Sequence, residues 1–313
     1  MSFDDPGAPT ARTPTARLFH WESDGIRLAG ERWDAGPDAE IVLLLHGGGQ
    51  TRHSWKRTAE RLARGGRTTM ALDARGHGDS DWHPDGNYTL DGFVSDLLAL
   101  IGTLDVAPAL VGASLGGITS LTAAGEHPGI AHALVLVDIV VHPEPAGVRR
   151  ITSFMTAHRD GFASLEEVAD AVAAYNPLRP RPASLDGLRK NVRLRADGRW
   201  YWHWDPVFMR IDDEPQRRVP DGRLAEAARH VTIPTLIVRG RQSDMISDAS
   251  MQDMVGLIPH AESVDVGAAG HMVAGDDNDV FTVSLEAFLD SVAESDGAPP
   301  RTARDSSPPY PDR

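Results

Sequence analysis

The segment 112–116 reads Gly-Ala-Ser-Leu-Gly, which fits the pattern G-x-S-x-G of a nucleophilic serine. An apolar run typical of a strand precedes this segment, and a helical pattern over 115–125 follows it. A sharp strand-to-helix turn forces the serine into a strained conformation, and the flanking glycines leave room for the crowded backbone. The helix dipole favours negative charge that develops at this point. We therefore predict that Ser114 is a nucleophile, with a serine in an ordinary glycine turn as the alternative.

A glycine-rich loop offers the groups that such a nucleophile needs beside it. The sequence His46-Gly47-Gly48-Gly49 ends a predicted strand over 41–45. Consecutive glycines allow backbone N–H groups to turn toward a substrate carbonyl and to bind the negative charge that forms on its oxygen. We predict the N–H groups of Gly48 and Leu115 as the two donors of this oxyanion hole and Gly49 as a residue that lines the substrate. The alternative is a flexible turn.

A general base and its acid partner are expected late in the chain. His271 directly follows the last predicted strand, and Asp244 follows the strand before it. The chain order of Ser114, Asp244 and His271 is the nucleophile–acid–base order of one hydrolase architecture. Asp138, at the end of the sixth predicted strand, is the alternative acid, and Met272 is a possible substrate-lining residue.

Alternating strand and helix patterns surround these residues and predict an α/β fold with a mostly parallel eight-stranded sheet flanked by helices. Nearly ninety residues, 142–230, separate two predicted strands, which is too long for a loop in a compact domain. We predict that this stretch is an inserted helical cap and that residues 17–141 and 231–293 form one core. The ends, 1–16 and 294–313, are rich in proline and polar residues and are predicted to be disordered tails.

The predicted cap contains an aromatic stretch over 200–209. Large aromatic side chains in a lid can form the wall of a pocket for an apolar or aromatic group. Trp202, Trp204 and Phe208 are accordingly predicted to line the substrate. The equally weighted alternative is that they form the core of the lid.

The composition excludes several classes of function. With a formal charge of −14 a basic surface for nucleic acid is not expected, and the absence of cysteine removes thiolate catalysis and cysteine metal sites. No signal peptide or apolar run of membrane-spanning length is visible, which predicts a cytoplasmic protein with no membrane partner. The expected partner is a small-molecule substrate, with a homo-oligomer possible, and we expect no cofactor and no metal.

Taken together, these motifs resemble the α/β-hydrolase superfamily over residues 17–292. A further match is Asp73-x-Arg75-Gly76-His77-Gly78-x-Ser80, a turn common in capped members, which we interpret as mainly structural. The other histidines are expected to be surface or capping residues. The sequence is also similar to epoxide hydrolases around 241–244, but those use an aspartate nucleophile where this chain has Ser114.

The resemblance implies a capped serine hydrolase of the esterase, lactonase and perhydrolase type. His271 would accept the proton of Ser114, and Asp244 would orient the imidazole. The expected reaction is cleavage of a small carboxylic ester or lactone through an acyl-enzyme. A carbon–carbon bond hydrolase and a cofactor-free perhydrolase are alternatives that use the same residues. A receptor, lyase or cyclase that uses the pocket without hydrolysis is the alternative from another class.

Overall fold

The structure is a computed structural model that describes residues 14–176, 181, 185–210, 219–220, 222–267 and 279–295. A sheet of eight strands crosses its centre and confirms the predicted fold class. Ten strands occur in these ranges: β1 (Arg17–Ser23), β2 (Ile26–Trp33), β3 (Ile41–Leu45), β4 (Thr68–Leu72), β5 (Ala109–Ala113), β6 (Ala133–Val137), β7 (Val192–Leu194), β8 (Trp200–Trp202), β9 (Thr235–Gly240) and β10 (Glu262–Val266). The strand order of the large sheet is β1-β2-β4-β3-β5-β6-β9-β10.

Within this sheet β2 pairs antiparallel with β1 and with β4, and the other pairs are parallel. Every residue of β4, β5 and β6 is buried, which is why these strands are nearly continuous apolar runs rather than alternating ones. The carboxyl ends of β3, β5 and β6 meet at one edge of the sheet, because Leu45 pairs with Gly112 and Ala113 pairs with Val137. The motifs that follow these strands are therefore brought together.

Helices cover both faces of the sheet. Those in the described ranges are α1 (Lys56–Arg64), α2 (Leu90–Ile101), α3 (Leu115–Glu126), α4 (Pro145–Thr156), α5 (Leu165–Tyr175), α6 (Arg223–His230), α7 (Asp248–Leu257) and α8 (Asp279–Ser295). One apolar core joins the sheet to α1 and α8, and a second joins it to α2, α3, α6 and α7. The two cores hold the sheet rigid, so the loops at its carboxyl edge rest on a fixed base.

The insertion between β6 and β9 carries α4, α5, a β7–β8 hairpin and two short 3₁₀ helices over 186–191 and 206–209. A third apolar cluster joins the insertion to Tyr88 and Phe93 of the core, so the insertion packs against the core; its described residues before α6 are called the cap below. One boundary needs correction. The predicted cap, 142–230, includes α6, but α6 packs on α3 so closely that a Cβ added to Gly125 would lie 2.1 Å from the carbonyl oxygen of Ala227. An amphipathic pattern marks a helix but not the layer to which it belongs.

Residues 1–13 of the predicted N-terminal tail lie outside the described residues. At the other end α8 continues to Ser295, so the predicted boundary after residue 293 falls within the last turn of this helix. Residues 296–313 of the predicted C-terminal tail also lie outside the described residues. Among the helices that the structure describes, none is both long enough and apolar enough to cross a membrane.

Candidate active site

Ser114 occupies a strained turn between β5 and α3. Its backbone angles are φ 46° and ψ −114°, a region that costs a residue other than glycine about 1–3 kcal/mol. The neighbouring glycines are required for steric reasons. A Cβ on Gly112 would lie 2.3 Å from the carbonyl oxygen of Gly116, and a Cβ on Gly116 would lie 2.4 Å from that of Leu45. The G-x-S-x-G spacing is thus the sequence signature of this turn, and Ser114 remains partly exposed.

Backbone hydrogen bonds fix this turn to the neighbouring strands. The amide of Ser114 donates to the carbonyl of Val137 over 3.1 Å, and the amide of Gly116 donates to that of His46 over 3.1 Å. The turn is therefore anchored to β6 on one side and to the glycine loop after β3 on the other.

The glycine loop lies directly beside the serine. A Cβ added to Gly47 would be 3.3 Å from the Cβ of Ser114. Within the part of the chain that the structure describes, no acceptor is assigned to the backbone amide of Gly48 or to that of Leu115 at the start of α3. These are the two amides that the sequence predicts as oxyanion donors, and the structure places both in segments that adjoin Ser114.

Asp138 follows β6 and is 2% exposed. Its φ of 52° is again in the left-handed region. Its carboxylate accepts the amide of Gly240 over 3.1 Å and the hydroxyl of Ser243 over 2.6 Å. Because Val137 pairs with Ala113 in the parallel sheet, Asp138 and Ser114 directly follow neighbouring strands at the same edge of the sheet.

Asp244 is held differently. It lies four residues after the end of β9, and its carboxylate pairs with the guanidinium of Arg150 on α4 over 2.9 Å. The side chains of this pair are 47% exposed for Arg150 and 36% exposed for Asp244. The backbone is tightly packed here, since a Cβ on Gly147 would lie 2.5 Å from the carbonyl oxygen of Asp244. Asp244 therefore connects the core to the cap. His271 and Met272 lie outside the described residues.

The cap covers the glycine loop with apolar side chains. A Cβ on Gly48 would lie 3.7 Å from the ring of Phe208, and one on Gly49 would lie 3.3 Å from the ring of Trp204. Trp202 stacks behind Trp204 with ring centroids 4.8 Å apart, and it also contacts Phe162 within the lid. Trp202, Trp204 and Phe208 all belong to the buried cluster of the lid, and Trp204 and Phe208 also lie over the loop. That they line the substrate stays a prediction.

One apolar residue over the loop was not predicted. The Sδ of Met155 would lie 3.8 Å from a Cβ on Gly48, and its Cε would lie 3.1 Å from one on Gly49. Met155 is on α4, where Ile151 and Phe154 also pack into the cap cluster. Their spacing of three and four residues was a readable signal of an apolar helix face.

Three histidines, His46, His77 and His203, lie behind the loop, and all three are buried. From the sequence such histidines are expected to be surface, capping or structural residues, and the expectation of a surface position is wrong for these three. Burial lowers the pKa of His46 to about 4 and that of His77 to about 3. Burial also lowers the pKa of His203 well below its usual value. The three imidazoles are therefore neutral near pH 7. Their rings form a row, with centroids 5.3 Å apart for His46 and His77 and 5.8 Å apart for His77 and His203.

Comparison with known proteins agrees with this fold. Residues 40–277 match the family model described as the alpha/beta hydrolase fold. The esterase Rv0045c of Mycobacterium tuberculosis is 30% identical over 269 residues, which cover 83% of this chain and 85% of the esterase. The 2-(acetamidomethylene)succinate hydrolase of Mesorhizobium japonicum is 30% identical over 229 residues, 72% of this chain and 79% of that enzyme. The crystal structure of an alpha/beta hydrolase from Novosphingobium aromaticivorans superposes with a TM-score of 0.76 at 25% identity, covering 88% of this chain and 98% of that one. The chain belongs to the α/β-hydrolase family and is a hydrolase.

Proposed function

We propose that this hydrolase forms an acyl-enzyme on Ser114 and cleaves a small carboxylic ester or lactone. The observation that carries the proposal is the strained turn that presents Ser114 beside two backbone amides without an assigned acceptor in the described chain, those of Gly48 and Leu115. A residue is held in such a conformation when the surrounding structure enforces it, and strain of this kind is concentrated at functional sites.

The reaction needs no group beyond those of the chain and water. The Ser114 oxygen attacks the carbonyl carbon while His271 accepts its proton, and the oxyanion binds to the N–H groups of Gly48 and Leu115. His271 then returns the proton to the departing alkoxide, which leaves as the alcohol and gives the acyl-enzyme. Water attacks that ester with His271 as the base, and the products are the carboxylic acid and free Ser114. With a lactone, the acid and the alcohol remain in one molecule.

An acid that holds the imidazole completes the proposal, and the two candidates differ in their surroundings. Both aspartates fit the chain order of nucleophile, acid and base, and the position of Asp244 after β9, the strand before the one that precedes His271, favours Asp244. The contacts of the described residues favour Asp138, because it is buried, accepts hydrogen bonds from Gly240 and Ser243 and follows the strand that pairs with β5, whereas Asp244 is paired with Arg150. A buried and fixed carboxylate is what a catalytic acid needs in order to select one imidazole tautomer. We therefore propose Asp138 as the acid, with Asp244 as the alternative.

The apolar cover supports an apolar or aromatic group in the substrate. Met155, Trp204 and Phe208 face the glycine loop, and an aromatic surface of this kind binds flat or branched hydrocarbon groups. The names of the relatives agree with ester or related acyl chemistry, since one is an esterase and another hydrolyses 2-(acetamidomethylene)succinate.

A substrate panel tests the proposal. Purified protein is assayed with p-nitrophenyl esters from acetate to octanoate, with phenyl acetate and with a series of lactones. We expect turnover of esters or lactones that is abolished in Ser114→Ala and retained in Ser120→Ala, a matched control whose hydroxyl donates to the helix carbonyl of Gly116. Turnover that persists in Ser114→Ala would contradict an acyl-enzyme on this residue. Tight ligand binding without turnover would favour a receptor.

A further inference from the structure

The glycine loop is held by histidines at three successive peptide units. The carbonyl of Gly47 accepts from the Nδ1 of His46 over 2.8 Å. The amide of Gly49 donates to the Nε2 of His77 over 3.1 Å, and the carbonyl of Gly49 accepts from the Nε2 of His203 over 3.3 Å. The peptides 47–48, 48–49 and 49–50 therefore each bond to one imidazole.

The second nitrogen of each ring determines which tautomer is present. The Nε2 of His46 accepts the amide of Ala74 over 3.1 Å, so its Nδ1 carries the proton that Gly47 receives. The Nδ1 of His203 accepts the amide of Gly78 over 2.8 Å, so its Nε2 carries the proton that the carbonyl of Gly49 receives. His77 has the same tautomer as His46, with Nδ1 donating to the carbonyl of Arg75 over 3.0 Å, but its acceptor Nε2 is the nitrogen that bonds to the loop, at the amide of Gly49. Each ring is one donor and one acceptor.

Peptide planarity transmits these bonds to the proposed oxyanion donor. The carbonyl of Gly47 and the N–H of Gly48 belong to one trans peptide and point in opposite directions, so a hydrogen bond to the carbonyl sets the direction of the N–H. The next two peptides, held by His77 and His203, keep Gly49 at its φ of 74°. Glycine adopts positive and negative φ about equally well, so these hydrogen bonds are needed to hold it in this conformation.

His203 differs from the other two histidines because it comes from the cap. It lies between Trp202 and Trp204 and is 2% exposed. Next to it, Asp205 donates its amide to Gly76 over 2.9 Å and accepts the hydroxyl of Tyr88 over 2.6 Å. This part of the cap is thus tied to the core beside the loop, and its imidazole is placed firmly enough to orient a peptide.

We propose that His203, together with His77, is a positioning residue for the oxyanion hole, so that the cap contributes to the chemical step as well as to substrate choice. The inference rests on the proposed function, in which the amide of Gly48 binds the oxyanion. It predicts that loss of the bond from His203 to Gly49 slows acylation while ground-state binding is little changed, because the amide binds charge that is present only in the transition state.

Two substitutions at His203 separate this role from simple packing. In His203→Gln the new side-chain amide reaches the position of Nε2 and can donate to Gly49, whereas the amide in His203→Asn reaches only the position of Nδ1 and can accept from Gly78. Both remove the same ring, so both lose comparable packing. We expect His203→Gln to keep kcat within about threefold of wild type and His203→Asn to lower kcat by about 10–100-fold, with KM within about twofold for both. The range is smaller than the 10²–10³ for complete loss of an oxyanion donor, because the donor is misoriented rather than removed.

A transition-state analogue gives a second readout. An aryl trifluoromethyl ketone adds to Ser114 and forms an oxyanion, whereas the matching methyl ketone binds without much addition. The inhibition constant of the trifluoromethyl ketone should rise in His203→Asn in parallel with the loss in kcat, and that of the methyl ketone should stay constant. Circular dichroism and thermal unfolding establish that each variant is folded. If neither folds, the pair His77→Gln and His77→Asn repeats the test, because glutamine retains an acceptor for the amide of Gly49.

The outcomes separate this inference from the proposed function. If wild type turns over esters through Ser114 and the two variants at His203 have equal kcat, the inference is wrong and the proposed function stands. An increase in KM at unchanged kcat would likewise assign His203 to substrate binding alone. If wild type shows neither turnover nor reaction with the trifluoromethyl ketone, the proposed function fails and the positioning role fails with it.

Discussion

Replacing each candidate acid by asparagine distinguishes Asp138 from Asp244, because their surroundings predict opposite outcomes. Asparagine keeps one carbonyl oxygen, so Asp138→Asn retains an acceptor for either Gly240 or Ser243 but not for both. Loss of one buried hydrogen bond costs about 1–3 kcal/mol of unfolding free energy. In Asp244→Asn the lost contact is a half-exposed ion pair with Arg150, which contributes about 0–1 kcal/mol.

The effect on turnover should be far larger than the effect on stability. An asparagine in place of a catalytic acid holds the imidazole in the wrong tautomer, which lowers kcat by about 10⁴ in a serine protease and sets the scale for Asp138→Asn. For Asp244→Asn we expect kcat/KM within about tenfold of wild type. Asp248→Asn is a matched control, because its side chain is 87% exposed and pairs with Arg239.

The assay is steady-state hydrolysis of the best ester from the panel, with thermal unfolding of each variant under the same conditions. The three variants should stay folded, and only Asp138→Asn should lose activity by about 10³ or more. A loss of that size in Asp244→Asn, with Asp138→Asn close to wild type, would show that the argument from burial and hydrogen bonding is wrong and that the acid is the aspartate that follows β9.

Three further results are expected. Gly112→Ala should lower the unfolding free energy by about 1–3 kcal/mol and abolish turnover, because the new Cβ would lie 2.3–2.6 Å from backbone atoms. Gly256→Ala, where a Cβ has nothing within 4 Å, should raise the unfolding free energy by about 0.5–1 kcal/mol. Equal effects of the two substitutions would contradict the steric argument. The unfolding free energy should fall as the pH drops from about 6.5 to about 3, because His77 binds a proton in the unfolded chain over this range but stays neutral in the folded protein. His77→Gln should make the dependence of unfolding free energy on pH less steep. An unchanged dependence, measured by chemical denaturation, would refute this. Trp204→Phe should raise KM for aromatic esters about 3–10-fold more than for acetate esters, and a uniform change would argue against its contact with the substrate.

The sequence predicts the framework of this protein well because buried parallel strands are continuous apolar runs. The predicted strand over 41–45 coincides with β3, and the predicted strand that Asp138 follows is β6. The Ser114 turn is also readable, since its two glycines are required by contacts within the turn and with β3. The buried strands and the Ser114 turn are set by residues close together in the sequence, so the order of residue types is enough to predict them.

Features that depend on contacts between distant segments are less readable. The cap assignment of α6 failed because its pattern shows an apolar face without showing that α3 covers it. The surroundings of Asp138 arise from β9, a hundred residues away in sequence, and the bond from His203 to Gly49 spans 154 residues. Neither contact follows from residue type or spacing. His271 and Met272 lie outside the described residues, and their assignment stays a prediction.

The most direct test of the central claim is covalent labelling of the purified, folded protein with a fluorophosphonate probe, with the adduct located by peptide mass spectrometry. The account predicts one adduct on Ser114 that is absent in Ser114→Ala and strongly reduced in His271→Ala. No adduct in wild type, or an adduct on another serine that persists in Ser114→Ala, would contradict an activated Ser114 and with it the acyl-enzyme mechanism.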